Sequence, residues 1–170
     1  MNSNLVIDFV NTRRLRSGEE RLQTPAQLRT WLIEQGLLAP GAKVTQDDVA
    51  WAARVREAIR DLIDGRCERD ASAALERASR EARLGIRFGL QEAQLEPAAG
   101  GVAGAIGRIL LEIAIGMSDG TWERVKVCEA DDCRTAFLDT TKNGSRAWCS
   151  MRSCGNRAKV RAYRERHGTT

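Results

Sequence analysis

Apolar side chains recur at spacings of three and four along much of this chain, which predicts a largely helical first unit. Thr24 and Pro25 open one helix, with Thr24 as cap and Pro25 in the first turn, where no amide donor is needed. Leu28, Trp31 and Leu32 share its inner face, and Gly36 ends it. Thr45 and Asp48 form a capping box for a longer helix. Along it Val49, Ala52, Val55, Ile59, Leu62 and Ile63 line one side before Gly65 stops it. Ala71 to Leu84 is rich in Ala, Glu and Arg and reads as a further helix, and the apolar stretch Val102 to Met117 reads as the core helix.

Other segments follow a different period. Leu5 to Val10 is short, β-branched and aromatic, and fits either a buried strand or the start of a helix. Arg13 to Gln23 is polar. Ile86, Phe88 and Leu90 alternate with Arg87 and Gly89, which predicts a half-buried strand within Gly85 to Leu95, followed by a turn at Pro97 to Gly101. Trp122 to Val127 reads as a short strand leading into Cys128.

Composition narrows the class. Hydrophobic residues make up 42% and charged residues 29% of 170, as in globular proteins. The longest apolar run, Ile106 to Met117, is broken by Gly107, Arg108, Glu112 and Gly116, so no membrane partner is expected. Asp8 interrupts the apolar stretch near the start and no small-residue cleavage site follows, which leaves the cytoplasm as the expected compartment. In a reducing compartment clustered cysteines bind metal or do redox work more often than they pair. Four of the five cysteines lie between positions 128 and 154, whereas Cys67 stands alone and reads as a spare thiol.

The four fall into two pairs, Cys128-x4-Cys133 and Cys149-x4-Cys154. Two close clasps deliver the four tetrahedral sulfurs that zinc takes; disulfides or plain buried thiols are the alternatives. Four protein ligands leave no open position, so the ion would be structural. Between the pairs, Ala136-Phe137-Leu138 and Arg146-Ala147-Trp148 flank Asn143-Gly144, the signature of a tight hairpin, with Phe137 and Trp148 placed to cover the metal. The chain after Cys154 is helical in character. Gly155 would allow backbone amides close to sulfur, and Asn156 would cap the helix, whose dipole favours thiolates.

The stretch Cys128 to Arg166, above all Trp148-Cys149-Ser150-Met151 and Cys154-Gly155-Asn156-Arg157-Ala158-Lys159, resembles the CGNR zinc finger. That finger is usually joined to an N-terminal ABATE domain, described as a stress-induced transcription regulator. The ABATE hallmark is matched by Leu5-Val6-Ile7-Asp8-Phe9-Val10-Asn11-Thr12. The resemblance implies one zinc ion on Cys128, Cys133, Cys149 and Cys154, and a role in transcription. Where the family often has Asp-x-Ser-Arg, this chain has Asp139-Thr140-Thr141-Lys142. The expected fold class is α+β: a mostly helical domain with a few strands over 1–122, then a small treble-clef-like finger over 123–170.

Charge points to a partner. Residues 140–170 carry eight lysines and arginines against one acidic residue, a local +7, while the rest of the chain sums to −3 of the total +4. A polyanion would therefore meet the C-terminal end. Arg157, Arg161 and Arg164 share one helical stripe, with Arg146, Arg152 and Lys159 nearby, and together form the candidate DNA surface. Ala158 and Ala162 lie on a neighbouring face, suited to packing on the hairpin. The competing explanations are a solvated basic face, or arginines that brace the finger against the first domain. Asp8 and Asn11 are candidates to line a ligand site for a small-molecule or protein effector, or else satisfy backbone groups of a turn. No catalytic constellation stands out and the single histidine, His167, lies near the end, so an enzyme is not expected. Two functions compete: a DNA-binding regulator whose first domain senses a signal or forms a homodimer, and a zinc-stapled protein-interaction module that does not touch DNA.

Overall fold

The computed structural model describes residues 3–66 and 68–168; Cys67 lies outside them. Helix α1 (Ser3–Val10) leads into two short paired strands, β1 (Arg13–Arg14) and β2 (Glu19–Glu20). Helices α2 (Pro25–Glu34), α3 (Gln46–Asp64) and α4 (Glu68–Glu81) follow, then an antiparallel hairpin of β3 (Leu84–Phe88) and β4 (Ala93–Pro97). Helix α5 (Gly101–Ser118) completes the first unit. A 3-10 turn (Thr121–Arg124) leads to the antiparallel pair β5 (Val125–Val127) and β6 (Ala136–Leu138), and a wide helical turn (Met151–Gly155) runs into α6 (Asn156–His167). Short strands among helices make the fold α+β.

Both expected capping boxes form. The Thr24 and Thr45 hydroxyls accept from the amides of Gln27 and Asp48, whose side chains reach back to the cap amides. At the end of α3 Gly65 takes the left-handed conformation with φ 64°. The segment Leu5 to Val10 is helix rather than strand. Leu5, Val6, Phe9 and Val10 bury one face while Asp8 on the other is exposed. The Thr12 amide and hydroxyl both close onto the Phe9 carbonyl.

The core joins α1, α2, α3 and α5. Phe9 and Trp31 meet at 5.5 Å between ring centroids, and Leu28, Leu32, Val55, Ile59, Ile106 and Ile109 complete the interior. Helix α5 has the length and apolar composition to cross a membrane, contrary to the reading from its interrupting residues, yet half of it is buried inside this core. Gly107 lets α4 and the hairpin close on α5: a Cβ there would lie 2.8 Å from the Cβ atoms of both Ala82 and Pro97.

Three expectations need correction. Residues 84–97 form a two-stranded hairpin rather than a half-buried strand; Leu84 at its base packs against the core, while Ile86, Phe88, Leu90 and Leu95 face outward, with Phe88 76% and Leu90 105% exposed. The partner of Ala136–Leu138 is Val125–Val127, not Arg146–Trp148. The Asn143-Gly144 signal makes a loop turn, closed by Gly144 N–H to Thr141 C=O at 3.3 Å, because the adjoining segment is tied to Asp139 instead of to a strand. Finally, Thr121–Arg124 is a 3-10 turn, so β5 begins later than expected.

Candidate metal centre and basic helix

Cys128 follows β5 and Cys133 precedes β6, so the first pair sits at the tip of a hairpin. The amides of Cys133 and Arg134 both donate to the Ala130 carbonyl, at 2.8 and 3.3 Å, and Arg134 turns the chain with φ 46°. Around the second pair the Gly155 amide donates to the Ser150 carbonyl at 3.1 Å, and the wide turn carries Cys154 into α6. All four Sγ atoms lie within 4.8 Å of one another. Cys133 and Cys149 sulfurs are 3.6 Å apart, and those of Cys149 and Cys154 are 3.5 Å apart. Bonds of 2.3 Å to tetrahedral corners put sulfurs roughly 3.8 Å apart, so this donor set fits one zinc ion. The same separations far exceed a disulfide bond, and all four thiols are free. Phe137 and Trp148 pack against the cluster, as their positions suggested.

The signature residues after Cys154 act differently than expected. A Cβ on Gly155 would lie 2.6 Å from Met151 Sδ and 3.2 Å from Trp148 Cδ1, so the glycine admits side chains that roof the site. Asn156 does not cap α6. The helix continues directly from the wide turn, with Gly155 already helical, and Asn156 Nδ2 donates back to the Arg152 carbonyl at 3.4 Å.

A residue from the first unit reaches the site. Arg16, in the turn between β1 and β2, donates from Nη2 to Cys154 Sγ at 3.0 Å and to Asp132 Oδ1 at 3.4 Å. Burial pushes the Cys154 thiol up, but hydrogen bonds from Arg16 and Ser153 and with its fellow cysteines outweigh this and hold it at about 6. The Cys149 thiol is pushed up by burial and by neighbouring sulfurs. Arg157 grips both oxygens of Asp132, at 2.9 and 3.0 Å, and this pair, joined by Arg16, holds the Asp132 carboxyl down at about 2.

Asp139 organises the loop between the clasps. Its side chain is buried; Oδ1 accepts from the Thr141 amide and hydroxyl at 3.0 and 2.6 Å, while Oδ2 accepts from the Arg146 amide at 2.9 Å. Lys126 completes the shell at 2.9 Å. The Thr141 hydroxyl, foremost among these partners, holds the Asp139 carboxyl well below the ordinary range. Thr141 thus does here what a serine at that position could do.

The model of the CGNR zinc finger family matches residues 124–167. A second family model, ABATE, described as "Putative stress-induced transcription regulator", matches residues 3–114. The chain belongs to the ABATE family. Neither family is an enzyme family, and no curated protein matches this chain.

In this ABATE protein the hallmark segment is where the finger docks. Asn11 Nδ2 donates to the Ala136 carbonyl and Asn11 Oδ1 accepts from the Ala136 amide, both at 2.9 Å. Asn11 therefore satisfies backbone groups, as one reading of it held, but those of β6 rather than of its own turn. Asp8 is exposed on α1 and does not share this contact. Two arginines that sequence reasoning missed support the same joint. Arg56 and Arg60 are fully buried on α3. Arg56 clamps both oxygens of Glu20 at 2.7 and 2.6 Å and donates to Thr12. Arg60 donates to the carbonyls of Val10, Arg13 and Arg134 at 2.7, 3.0 and 2.6 Å. Arg134 in turn pairs with Asp61 and Asp64. The available signal was that Ala52, Arg56 and Arg60 repeat every four residues, which puts both cations on the inward face of α3.

The six basic candidates divide. Arg146 braces the metal site: it donates to the Trp148 carbonyl at 2.8 Å and to the Cys149 carbonyl, with its guanidinium 4.7 Å from the Phe137 ring centroid. Arg157 is paired with Asp132. The side chains of Arg152, Lys159, Arg161 and Arg164 are exposed and make no ion pair among the described residues. Helix α6 buries none of its residues; Ala158 is half-buried and Ala162 is exposed, so the expected packing of both alanines on the hairpin does not occur.

Proposed function

We propose that this protein is a transcription regulator whose zinc-held finger binds duplex DNA through α6, while its first domain receives a signal or forms a homodimer, in the cytoplasm. The observation that carries the reading is a helix that stands clear of the core and, with the turn before it, presents the exposed side chains of Arg152, Lys159, Arg161 and Arg164 without ion-pair partners among the described residues. Arginine suits the task because its planar fork engages phosphate oxygens and guanine edges alike. Arg146 and Arg157 are reassigned from direct contact to holding the finger in shape. Zinc supplies folding free energy, on the order of 10–16 kcal/mol in small finger peptides.

The test is fluorescence anisotropy of zinc-loaded protein with labelled duplex DNA. Combined Arg152→Ala, Arg161→Ala and Arg164→Ala substitution is expected to abolish binding while one zinc per chain remains. Undiminished binding by that variant would overturn the assignment.

The interaction-module reading is favoured by one observation, the outward-facing Ile86, Phe88, Leu90 and Leu95 on the β3–β4 hairpin. Absence of DNA binding, with association that Phe88→Ser abolishes in sedimentation, would select it.

A further inference from the structure

A groove of about 760 Å³ runs between the β1–β2 turn and the finger. Its lining brings Arg16, from the first domain, together with Arg152, Arg157, Arg161 and Arg164 of the finger, with Val160 also lining the groove. Five guanidinium groups therefore face one cleft, and Glu165 is the acidic residue among its lining. Arg157 is held by Asp132 through two bonds, which fixes the middle of the groove. Among the described residues both bonds made by Arg16 use the same nitrogen, Nη2, which leaves Nε and Nη1 for a further acceptor. Its side chain is one-third exposed, so that an incoming anion can reach it.

We propose that this groove seats a phosphodiester of the DNA backbone between the two domains, with Arg16 as a direct DNA contact supplied by the ABATE domain. The inference rests on the DNA-binding reading above and adds to it a second domain. Planar guanidinium groups supplied by two domains can each offer two donors to a phosphate's oxygens, a reach one helix face alone does not have. The position of Arg16 depends on the docking of the finger through Asn11 and Arg60. Affinity for DNA thus becomes sensitive to how the first domain holds the finger, which gives that domain a physical route to regulate binding.

The experiment uses full-length, zinc-loaded protein and a labelled duplex, with binding measured as salt is raised. Arg16→Gln is expected to lower the slope of log affinity against log salt by about one unit, as loss of one phosphate contact does. Arg161→Gln should do the same, and Arg14→Gln, outside the groove, should leave the slope unchanged. If Arg16→Gln matches wild type while Arg161→Gln loses slope, the two-domain groove is wrong and DNA binding by the finger stands. If wild type fails to bind at low salt, both readings fall. Should Arg16→Gln lose zinc, photocrosslinking from benzoylphenylalanine in place of Ser17 decides. Crosslinking to DNA supports the groove; none, when the same group at Lys159 crosslinks, overturns it.

Discussion

Asn11 and Ala136 exchange two hydrogen bonds of 2.9 Å across 125 residues of sequence, so that one side-chain amide serves β6 as a neighbouring strand would. Through this joint the finger is seated on the first domain rather than tethered to it. Ala136 itself is buried in the main core.

Asn11→Ala leaves the Ala136 amide and carbonyl unpaired in a buried place. Such groups cost about 1–3 kcal/mol each when unsatisfied, so a lowered thermal midpoint and faster amide exchange in β6 are expected. An unchanged midpoint would show that the joint is held elsewhere.

Arg60→Met should be more damaging. It removes the donor to three carbonyls and leaves Glu57 without one of its three arginine partners, the others being Arg13 and Arg56. Removing one member of a buried charged set costs about 3–5 kcal/mol, to be read by urea denaturation. Arg80→Met, on the exposed side of α4, should stay within about 0.5 kcal/mol.

Gly107→Ala tests the packing of α5. Alanine favours a helix by up to about 1 kcal/mol, but here its methyl would press on Ala82 and Pro97, which cannot swing aside. Overpacking of this kind costs about 1–3 kcal/mol, so net destabilisation is expected, and a rise in stability would contradict the close contact.

The helices α2, α3 and α5 and the metal ligands were legible in the sequence because each rests on local signals: caps, periodicity and paired cysteine spacing. What was not legible depends on contacts distant in sequence. Arg16 meets Cys154 across 138 positions, and nothing in the polar stretch around it marks that reach. Arg56 and Arg60 carry no mark of burial in their residue type; only their spacing of four from Ala52 places them on the inward face of α3. Phe88 and Leu90 alternate as a half-buried strand does, yet both are exposed among the described residues, and periodicity alone does not say what lies opposite. Asn143-Gly144 signalled a turn correctly but not its partner, because Asp139 and Lys126 fix that loop by side-chain bonds.

Zinc retention should depend on pH through Arg16. Because the folded Cys154 thiol sits at about 6, below its ordinary value of 9.0, its thiolate persists as pH falls toward 6. Arg16→Gln removes the hydrogen bond that lowers it, protons then compete better with metal, and the midpoint of acid-induced zinc release moves to higher pH. Release followed with a colorimetric chelator measures this; an unchanged or lower midpoint would contradict it.

The most direct measurement of the central claim is the salt dependence of duplex DNA binding by the full-length, zinc-loaded protein. Four or five arginine and lysine contacts to phosphate predict a slope of log affinity against log salt of about −4. Binding that is flat with salt, or absent at low salt with one zinc per chain in place, would contradict the account and leave the finger as a structural staple.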